Sequence, residues 1–148
     1  MLDLQERLLI RAEIETTLID YWHNVDTEWG NHAHEYYTAD GTFENTAGRI
    51  RTGREDVRDF YTGRQNRGPR IARHVIANLK VDVHDRMNAT SQWILLLYAH
   101  DGEPVLRSEP AILIGDVIDV SVREADGRWR YKSRVISALF KSDTPTTT

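Results

Sequence analysis

The segment GPRIARHVIANLKVDV, residues 68–83, marks the place where the sequence changes from helical to strand periodicity. Before Gly68-Pro69 the apolar residues recur every three or four positions, whereas after it apolar and polar residues alternate. The alternation predicts a strand over Ile71–Val83. Because successive side chains of a strand point to opposite faces, it also predicts that His74 and Asn78 share one face.

The C-terminal half predicts three further strands, at Thr90–His100, Val105–Val122 and Arg128–Phe140. The second is long enough to require a bend or bulge near Gly115. Turn residues occupy the short connections, so we expect neighbouring strands to pair as an antiparallel meander. The polar, threonine-rich segment 141–148 is predicted to be a flexible tail.

The N-terminal half predicts three helices. Asp3 and Glu6 have the spacing of a capping box, which predicts a first helix that begins there and runs to about His23. Asp26 then has the position of an N-cap for a second, shorter helix that ends before Asp40.

A second capping box predicts the third helix. Thr52 and Glu55 have the required spacing, and apolar residues follow at helical spacing until Gly63. Short strands are predicted before this helix, at Gly41–Asn45 and Arg49–Arg51.

These elements together predict one α+β domain over residues 1–140. We expect a cone-shaped α+β barrel, in which three N-terminal helices pack in a curved, mainly antiparallel sheet. A sheet that curves around helices leaves a cavity open at one end, and such cavities are where small ligands bind.

Composition excludes several classes of function. The chain has 148 residues, a formal net charge of −4 and no cysteine. The charge disfavours nucleic acid as a partner, and the lack of cysteine excludes disulfides and thiol nucleophiles. No apolar run has the length of a membrane span and no signal-peptide pattern occurs, so we expect a cytoplasmic protein without a membrane partner.

A local group of basic residues is interpreted as a solvated loop: Arg64, Arg67, Arg70 and Arg73.

Motifs for cofactors and metals are absent from the sequence. There is no glycine-rich phosphate loop, dinucleotide fingerprint or nucleophile elbow. His32 and His34 are two positions apart, so they diverge on a helix and lack the spacing that zinc helices use. We therefore expect neither a cofactor nor a metal.

Asp26 and His74 are the main candidates for chemistry. Each has an ordinary structural explanation, Asp26 as a helix N-cap and His74 as a core or edge histidine. As a pair they have a further meaning, because a carboxylate that accepts a hydrogen bond from one imidazole nitrogen fixes the tautomer and leaves the other nitrogen as a base. Such a pair is suited to proton abstraction.

Tyr21 and Arg134 are secondary candidates. Tyr21 precedes Asp26 by a little more than one helical turn, so its hydroxyl is expected near the same cavity wall; the alternative is a core aromatic. Arg134 lies in the last predicted strand. A guanidinium that enters the cavity would hold a leaving anion or a carbonyl oxygen, whereas the alternative is a solvated strand face.

Five segments spread along the chain carry a family resemblance: AEI (residues 12–14), YYTADGTF (36–43), GREDV (53–57), RHVIAN (73–78) and DGRWRYKSR (126–134). With these segments the chain resembles the nuclear transport factor 2-like superfamily, and within it the SnoaL-like group. The resemblance spans nearly all of residues 4–140.

Within this superfamily, cofactor-free lyases use an Asp and His pair, as in scytalone dehydratase. The separation of 48 residues between Asp26 and His74 is similar to that in bile-acid 7α-dehydratase and hexachlorocyclohexane dehydrochlorinase. Tyr21 is similar to the tyrosine of the dehydratase, and Arg134 is similar to the arginine of the dehydrochlorinase. Steroid isomerases of this fold have an aspartate base where Asn45 stands here, and an amide cannot serve as that base.

The resemblance therefore implies a cofactor-independent lyase, of the dehydratase or dehydrohalogenase type, with Asp26, His74, Tyr21 and Arg134 as its catalytic residues. It implies a small cyclic apolar substrate and a homo-oligomer, either a trimer or a dimer. Two alternatives stay open. One is a non-catalytic small-molecule-binding or interaction module, and the other is a polyketide-type cyclase or isomerase, or a hydrolase, with the same acid and base.

Overall fold

The computed structural model describes residues 1–146, which form two α-helices, one 3₁₀ turn and six strands. Their bounds are α1 (Leu4–Glu28), the 3₁₀ turn (Ala33–Tyr36), β1 (Tyr37–Glu44), β2 (Ile50–Thr52), α2 (Arg54–Gln65), β3 (Arg70–Val83), β4 (Asn88–Asp101), β5 (Leu113–Arg123) and β6 (Trp129–Lys141). The predicted α+β class is confirmed. The prediction of three α-helices is wrong, because a 3₁₀ turn replaces the second.

Helix α1 begins at the predicted capping box and continues beyond its predicted end. The Glu6 amide donates to the Asp3 carboxylate at 2.8 Å, and the Asp3 amide donates to the Glu6 carboxylate at 3.0 Å. The helix passes His23 and stops where Trp29 adopts the left-handed conformation, with φ of 61°. Asp26 therefore lies in the last turn of α1, and the prediction that it caps a second helix is wrong.

The chain reverses direction directly after α1, which leaves little room for another helix. The Asn24 carboxamide oxygen accepts a hydrogen bond from the His32 amide at 3.1 Å, and its nitrogen donates to the Asn31 side chain at 2.7 Å. These bonds fold the segment back onto α1. Only the four residues of the 3₁₀ turn then precede β1.

Helix α2 begins without the predicted capping box. Its N-cap is Gly53, which has a φ of 89° and no side chain to offer. The Asp56 carboxylate accepts from the Thr52 amide at 2.9 Å, so a carboxylate one position beyond Glu55 satisfies the backbone there. The predicted pairing of Thr52 with Glu55 is therefore wrong, although the helix is where the sequence predicts it.

The six strands form one mixed sheet in the order β2-β1-β6-β5-β4-β3. All neighbouring pairs are antiparallel except β1 and β6, which are parallel. The sheet is not closed, so the cone is open rather than a complete barrel. The predicted antiparallel meander is correct for β3 to β6, but β5 starts at Leu113 and not at Val105.

The predicted irregularity at Gly115 is present. The pairing of β5 with β6 shifts register between Ile114 and Gly115. A Cβ atom at Gly115 would lie 2.7 Å from the Ser137 carbonyl oxygen, so only glycine allows β6 to approach this closely.

A second bulge changes which side chains of β3 face inward. The pairing with β4 shifts register between Ala77 and Lys80, and Asn78 has a φ of 53°. Asparagine tolerates this left-handed conformation better than most residues. Asn78 is exposed while Leu79 packs on the core, so the prediction that Asn78 shares the inner face with His74 is wrong.

The main hydrophobic core lies between the sheet and the C-terminal half of α1 together with α2. It includes Leu18, Tyr37, Val57, Trp93 and Val117, each at most 2% exposed. Burying side chains of this size contributes about 1.5–3 kcal/mol each. Over residues 1–146, no helix combines the length and the apolar character needed to cross a lipid bilayer.

Candidate active site

A cavity opens between the helices and the inner face of the sheet. Most of its wall is apolar and includes Trp22, Phe43, Phe60, Leu95, Leu97 and Ile136. Its volume, including the space open to solvent at the mouth, is about 850 Å³. An apolar pocket with a few polar groups is the usual form of a small-molecule site.

The Asp26 carboxylate and the His74 imidazole meet on this wall. The two residues come from the last turn of α1 and from β3. The His74 ring Nδ1 lies 2.6 Å from Asp26 Oδ1, and the His74 backbone amide donates to Asp26 Oδ2 at 2.8 Å. Their side chains are 12% and 8% exposed respectively. An ionised carboxylate only accepts hydrogen bonds, so a neutral imidazole beside it carries its proton on Nδ1 and its lone pair on Nε2.

Trp22 fixes the plane of the His74 imidazole. The two rings stack with centroids 4.1 Å apart and planes inclined by 16°. Stacking on Trp22 and the Nδ1 bond to Asp26 leave the imidazole little freedom to rotate. Within residues 1–146, Nε2 of His74 has no hydrogen-bond partner, so this nitrogen is available to a molecule in the cavity.

Three tyrosine hydroxyls form a chain that begins at the cavity wall. Tyr61 lines the cavity, and its hydroxyl lies 2.5 Å from that of Tyr21, which lies 3.2 Å from that of Tyr37. Burial is the main cause that raises the pKa of all three tyrosines. Tyr21 is fully buried and does not line the cavity, and its hydroxyl is linked to the wall through that of Tyr61. Tyr21 is therefore a core aromatic, the alternative interpretation, and its hydroxyl lies one hydrogen bond behind the cavity wall.

Arg134 is enclosed in the core and does not line the cavity. Its Nε and Nη2 donate to the two oxygens of Asp119 at 2.6 and 2.9 Å, and Trp93 Nε1 donates to the same carboxylate at 2.9 Å. The guanidinium carbon lies 4.1 Å from the Tyr131 ring centroid and 4.6 Å from that of Tyr21. Burial lowers the pKa of Arg134 and Asp119 raises it, with a net upward shift.

The sequence offered two interpretations of Arg134, and the structure agrees with neither placement. The guanidinium neither enters the cavity nor lies on a solvated strand face, because aromatic rings and Asp119 surround it. A chemical role for Arg134 stays a prediction, and any such role would act through its neighbours.

Two of the four arginines interpreted as a solvated loop line the cavity instead. Arg64, in the last turn of α2, is 9% exposed, and the Arg70 side chain at the start of β3 is 11% exposed. The solvated-loop interpretation is wrong for both. Arg73 is exposed, as predicted.

The segment after β6 lies near these arginines. The Pro145 carbonyl accepts a hydrogen bond from Arg70 Nη2 at 2.8 Å, and Thr146 contributes to the cavity wall. The predicted flexible tail extends to residue 148, and residues 147 and 148 lie outside the described part of the chain.

Metal binding has no visible basis in the described residues. Over residues 1–146 no group of three or more His, Cys, Asp or Glu side chains is arranged to hold a metal ion.

The Asn45 oxygen accepts from the Ala47 and Arg49 amides at 3.0 and 3.1 Å. Asn45 thereby holds the turn between β1 and β2.

A model of the SnoaL-like domain matches residues 6–135. The chain belongs to the SnoaL-like domain family. This family is part of the nuclear transport factor 2-like superfamily, so the resemblance seen in the sequence is confirmed. Comparison with curated proteins by sequence gives no match.

Several solved structures share the SnoaL-like fold at low sequence identity. A candidate scytalone dehydratase from Novosphingobium aromaticivorans superposes with a TM-score of 0.83 at 19% identity, over 97% of this chain and 93% of that one. A candidate aromatic ring hydroxylase from the same organism gives 0.74 at 19% identity, over 95% and 93%. A Mycobacterium tuberculosis protein of unknown function gives 0.78 at 21% identity, over 93% and 76%. At these identities the likeness establishes the fold alone.

The sequence did not point to Tyr61, Trp22 or Arg64 as parts of the site. For Arg64 a clue was present, because it follows Phe60 by four residues and Tyr61 by three. That spacing places an arginine on the buried face of an amphipathic helix. For Trp22 and Tyr61 no local pattern separates a cavity-lining aromatic from a core aromatic.

Proposed function

We propose that the protein is a cofactor-independent lyase, which removes a proton from carbon and releases a neighbouring hydroxyl or halide from a small cyclic apolar substrate. The observation that carries the proposal is the contact of the His74 ring with Asp26 at the cavity wall. Asp26 holds Nδ1 at 2.6 Å, and Nε2 of the same cavity-lining ring has no partner within residues 1–146. A neutral imidazole held in this way is a general base ready for a substrate.

The reaction would begin when His74 Nε2 takes a proton from a substrate carbon. The electron pair of the broken C–H bond forms the new C=C bond, and the pair of the neighbouring C–O or C–halogen bond leaves with its atom. A halide departs as the anion, and the imidazolium then releases its proton to water. A departing hydroxide takes a proton back from His74 Nε2 and leaves as water, which returns the imidazole to its neutral state.

Asp26 would support this cycle by stabilising the imidazolium. When Nε2 gains a proton, the ring carries a positive charge next to the Asp26 carboxylate, which is mostly removed from water. A charge-assisted hydrogen bond is about twice as strong as a neutral one. The bond from the His74 amide to Oδ2 fixes the carboxylate, so no reorientation is needed as charge develops.

Tyr61 would donate a hydrogen bond to the departing oxygen or to a substrate carbonyl. Its raised pKa makes the ionised form unfavourable, so it would act as a neutral donor and not as a source of a full proton. Tyr21 would then orient the Tyr61 hydroxyl from behind, and Arg134 would hold the aromatic cluster around Tyr21. This gives both sequence candidates supporting roles.

The alternatives read from the sequence differ from the lyase in what they require of the site. A non-catalytic binding module has no need of an aligned base. The bidentate contact of Asp26 with His74 and the stacking of Trp22 on the ring therefore favour catalysis. A cyclase, isomerase or hydrolase could use the same base, and only the products distinguish it from a lyase.

The experiment offers purified protein a set of β-hydroxy cyclic ketones and the matching β-chloro compounds, with mass spectrometry and NMR of the products. We expect loss of water or hydrogen chloride and a new C=C bond with the wild type. His74→Ala should abolish this conversion. The matched control is His84→Ala, because His84 is exposed and bonds to Thr90 away from the cavity.

Three outcomes would contradict the lyase. Equal turnover by His74→Ala would remove His74 as the base. Isomers without loss of a group would favour a cyclase or isomerase. Ligands that bind the wild type and are recovered unchanged throughout the set would favour the binding module.

A further inference from the structure

Arg64 lines the cavity, and its guanidinium is poorly satisfied within residues 1–146. Its residue is 9% exposed, and its Nη2 is buried without a hydrogen-bond partner. In the described chain its side chain donates no hydrogen bond, and its ion-pair contact with Asp101 Oδ1 is long, at 3.7 Å. Buried guanidinium groups in proteins are normally paired, so this one requires an explanation.

Arg70 adds a second cation to the same stretch of wall and takes the available carboxylate. Its Nη1 donates to Asp101 Oδ1 at 3.0 Å, and its Nη2 donates to the Pro145 carbonyl at 2.8 Å. The Asp101 side chain is 80% exposed, so water screens it. Two arginines therefore share one solvated carboxylate, and among residues 1–146 Arg64 has no closer ion-pair contact than the one of 3.7 Å to Asp101.

Contacts within residues 1–146 do not give Arg64 Nη2 a hydrogen-bond partner. Its guanidinium carbon lies 5.8 Å from the Trp29 ring centroid, and its place in the last turn of α2 suits the helix dipole. Neither the ring nor the dipole supplies a hydrogen-bond acceptor to Nη2. Burial first, and then the neighbouring Arg70, lower the pKa of Arg64, and the attraction of Asp101 only partly opposes them.

We propose that Arg64, with Arg70 beside it, forms a subsite for a carboxylate of the ligand. The ligand class is then a cyclic apolar carboxylic acid, whose ring fills the apolar cavity while its carboxylate pairs with the guanidinium. A planar guanidinium matches a carboxylate in two parallel hydrogen bonds. The inference rests on the proposed function in that Arg64 and His74 line one cavity, so the same molecule would meet both groups.

The test uses matched charged and neutral probes, benzoate with benzamide and 2-naphthoate with 2-naphthamide, titrated by calorimetry into the whole protein. We expect at least one carboxylate to bind about tenfold or more tightly than its amide, because charge-assisted hydrogen bonds to a buried cation discriminate at this level. Arg64→Gln should remove that preference and leave the affinity for the amide within about twofold. Arg64→Lys should restore part of it.

Asp101→Asn provides a variant with the opposite expected sign. Asp101 is exposed, so its substitution carries little risk to folding. Without its carboxylate both arginines lack their anion, and affinity for the carboxylate probe should rise about threefold or more. This variant keeps the proposal testable even if Arg64→Gln fails to fold, which circular dichroism would reveal.

His74→Ala separates this inference from the proposed function. This variant should still bind the carboxylate probe more tightly than the matching amide, whether or not the wild type catalyses elimination. The subsite is overturned if neither carboxylate binds the wild type, if each carboxylate and its amide bind equally, or if Arg64→Gln keeps the preference. If the wild type catalyses no elimination but still binds the carboxylate in a way that depends on Arg64, only the lyase proposal is overturned.

Discussion

Two carboxylates in this protein each hold a nitrogen at 2.6 Å, yet their surroundings differ. Asp26 holds His74 at the cavity wall, where both side chains keep about a tenth of their surface exposed. Asp119 holds Arg134 in the core, where both are completely buried. The cavity pair leaves one ring nitrogen without a protein partner. The core pair is surrounded by aromatic rings.

The difference shows how similar local chemistry can serve two purposes. A fully buried ion pair fixes the packing around it and cannot meet a ligand, whereas a pair at a cavity wall can change its protonation state with a ligand present. Trp93 and Trp22 reflect this division. The Trp93 indole N–H donates a hydrogen bond to Asp119. Trp22 instead stacks flat on the His74 ring, which leaves the two nitrogens of that imidazole to bond with other groups.

Breaking the core pair should have the largest effect on stability. Asp119→Asn leaves the Arg134 charge buried without its counter-charge, so we expect a loss of about 3–5 kcal/mol in the free energy of unfolding. Urea unfolding followed by tryptophan fluorescence measures it. The double variant Asp119→Leu with Arg134→Met should recover part of the loss, because it removes both charges. If the free energy of unfolding of Asp119→Asn lies within about 1 kcal/mol of the wild-type value, the pair does not stabilise the fold.

Removing the base of the cavity pair should act on the reaction more than on the fold. We expect His74→Ala to lower kcat by about 10²–10⁴, the usual contribution of a general base. Its free energy of unfolding should fall by no more than about 2 kcal/mol, because the ring lies at a cavity wall. Turnover and urea unfolding are measured on the same preparation. If His74→Ala loses stability but keeps its turnover rate, the Asp26–His74 pair is structural and not catalytic.

Asp26→Asn tests whether the carboxylate matters through both oxygens. Asparagine offers one acceptor oxygen, so either the His74 amide or Nδ1 loses its partner. We expect kcat to fall about 10–100-fold and the free energy of unfolding to fall by about 1–3 kcal/mol. Thr27→Ala, at the exposed neighbouring position, is the control. An unchanged rate would mean that Asp26 does not orient the base.

Tyr61→Phe should give the smallest effect. It removes the hydroxyl of the one tyrosine in the chain that lines the cavity, and with it the 2.5 Å bond to Tyr21, while keeping the ring. We expect kcat to fall about tenfold, equivalent to about 1.4 kcal/mol, with little change in KM. Tyr98→Phe on the exposed side of β4 is the control. A change confined to KM would indicate a role in binding and not in the departure of the leaving group.

Much of the fold could be predicted because its causes are local. The Asp3 capping box, the strand periodicity after Pro69 and the irregularity at Gly115 each depend on residues close together in the chain. Predictions were wrong where distant contacts decide. Helix α1 continues through Asp26 because its last turn packs against β3, and Asn78 leaves the inner face because a bulge opposite β4 rotates it outward.

The candidate site shows the same division. Sequence resemblance selected Asp26 and His74, and helical spacing held an unused clue to Arg64. Alternation and periodicity state which face of an element a residue occupies, but not what lies opposite that face. The meeting of residues 48 positions apart, the enclosure of Arg134 by aromatic rings and the unpaired Nη2 of Arg64 are properties of packing between elements. The sequence by itself determined most of the elements and the family, whereas only the tertiary structure decided where α1 ends and which polar groups are satisfied, because both depend on contacts between distant residues.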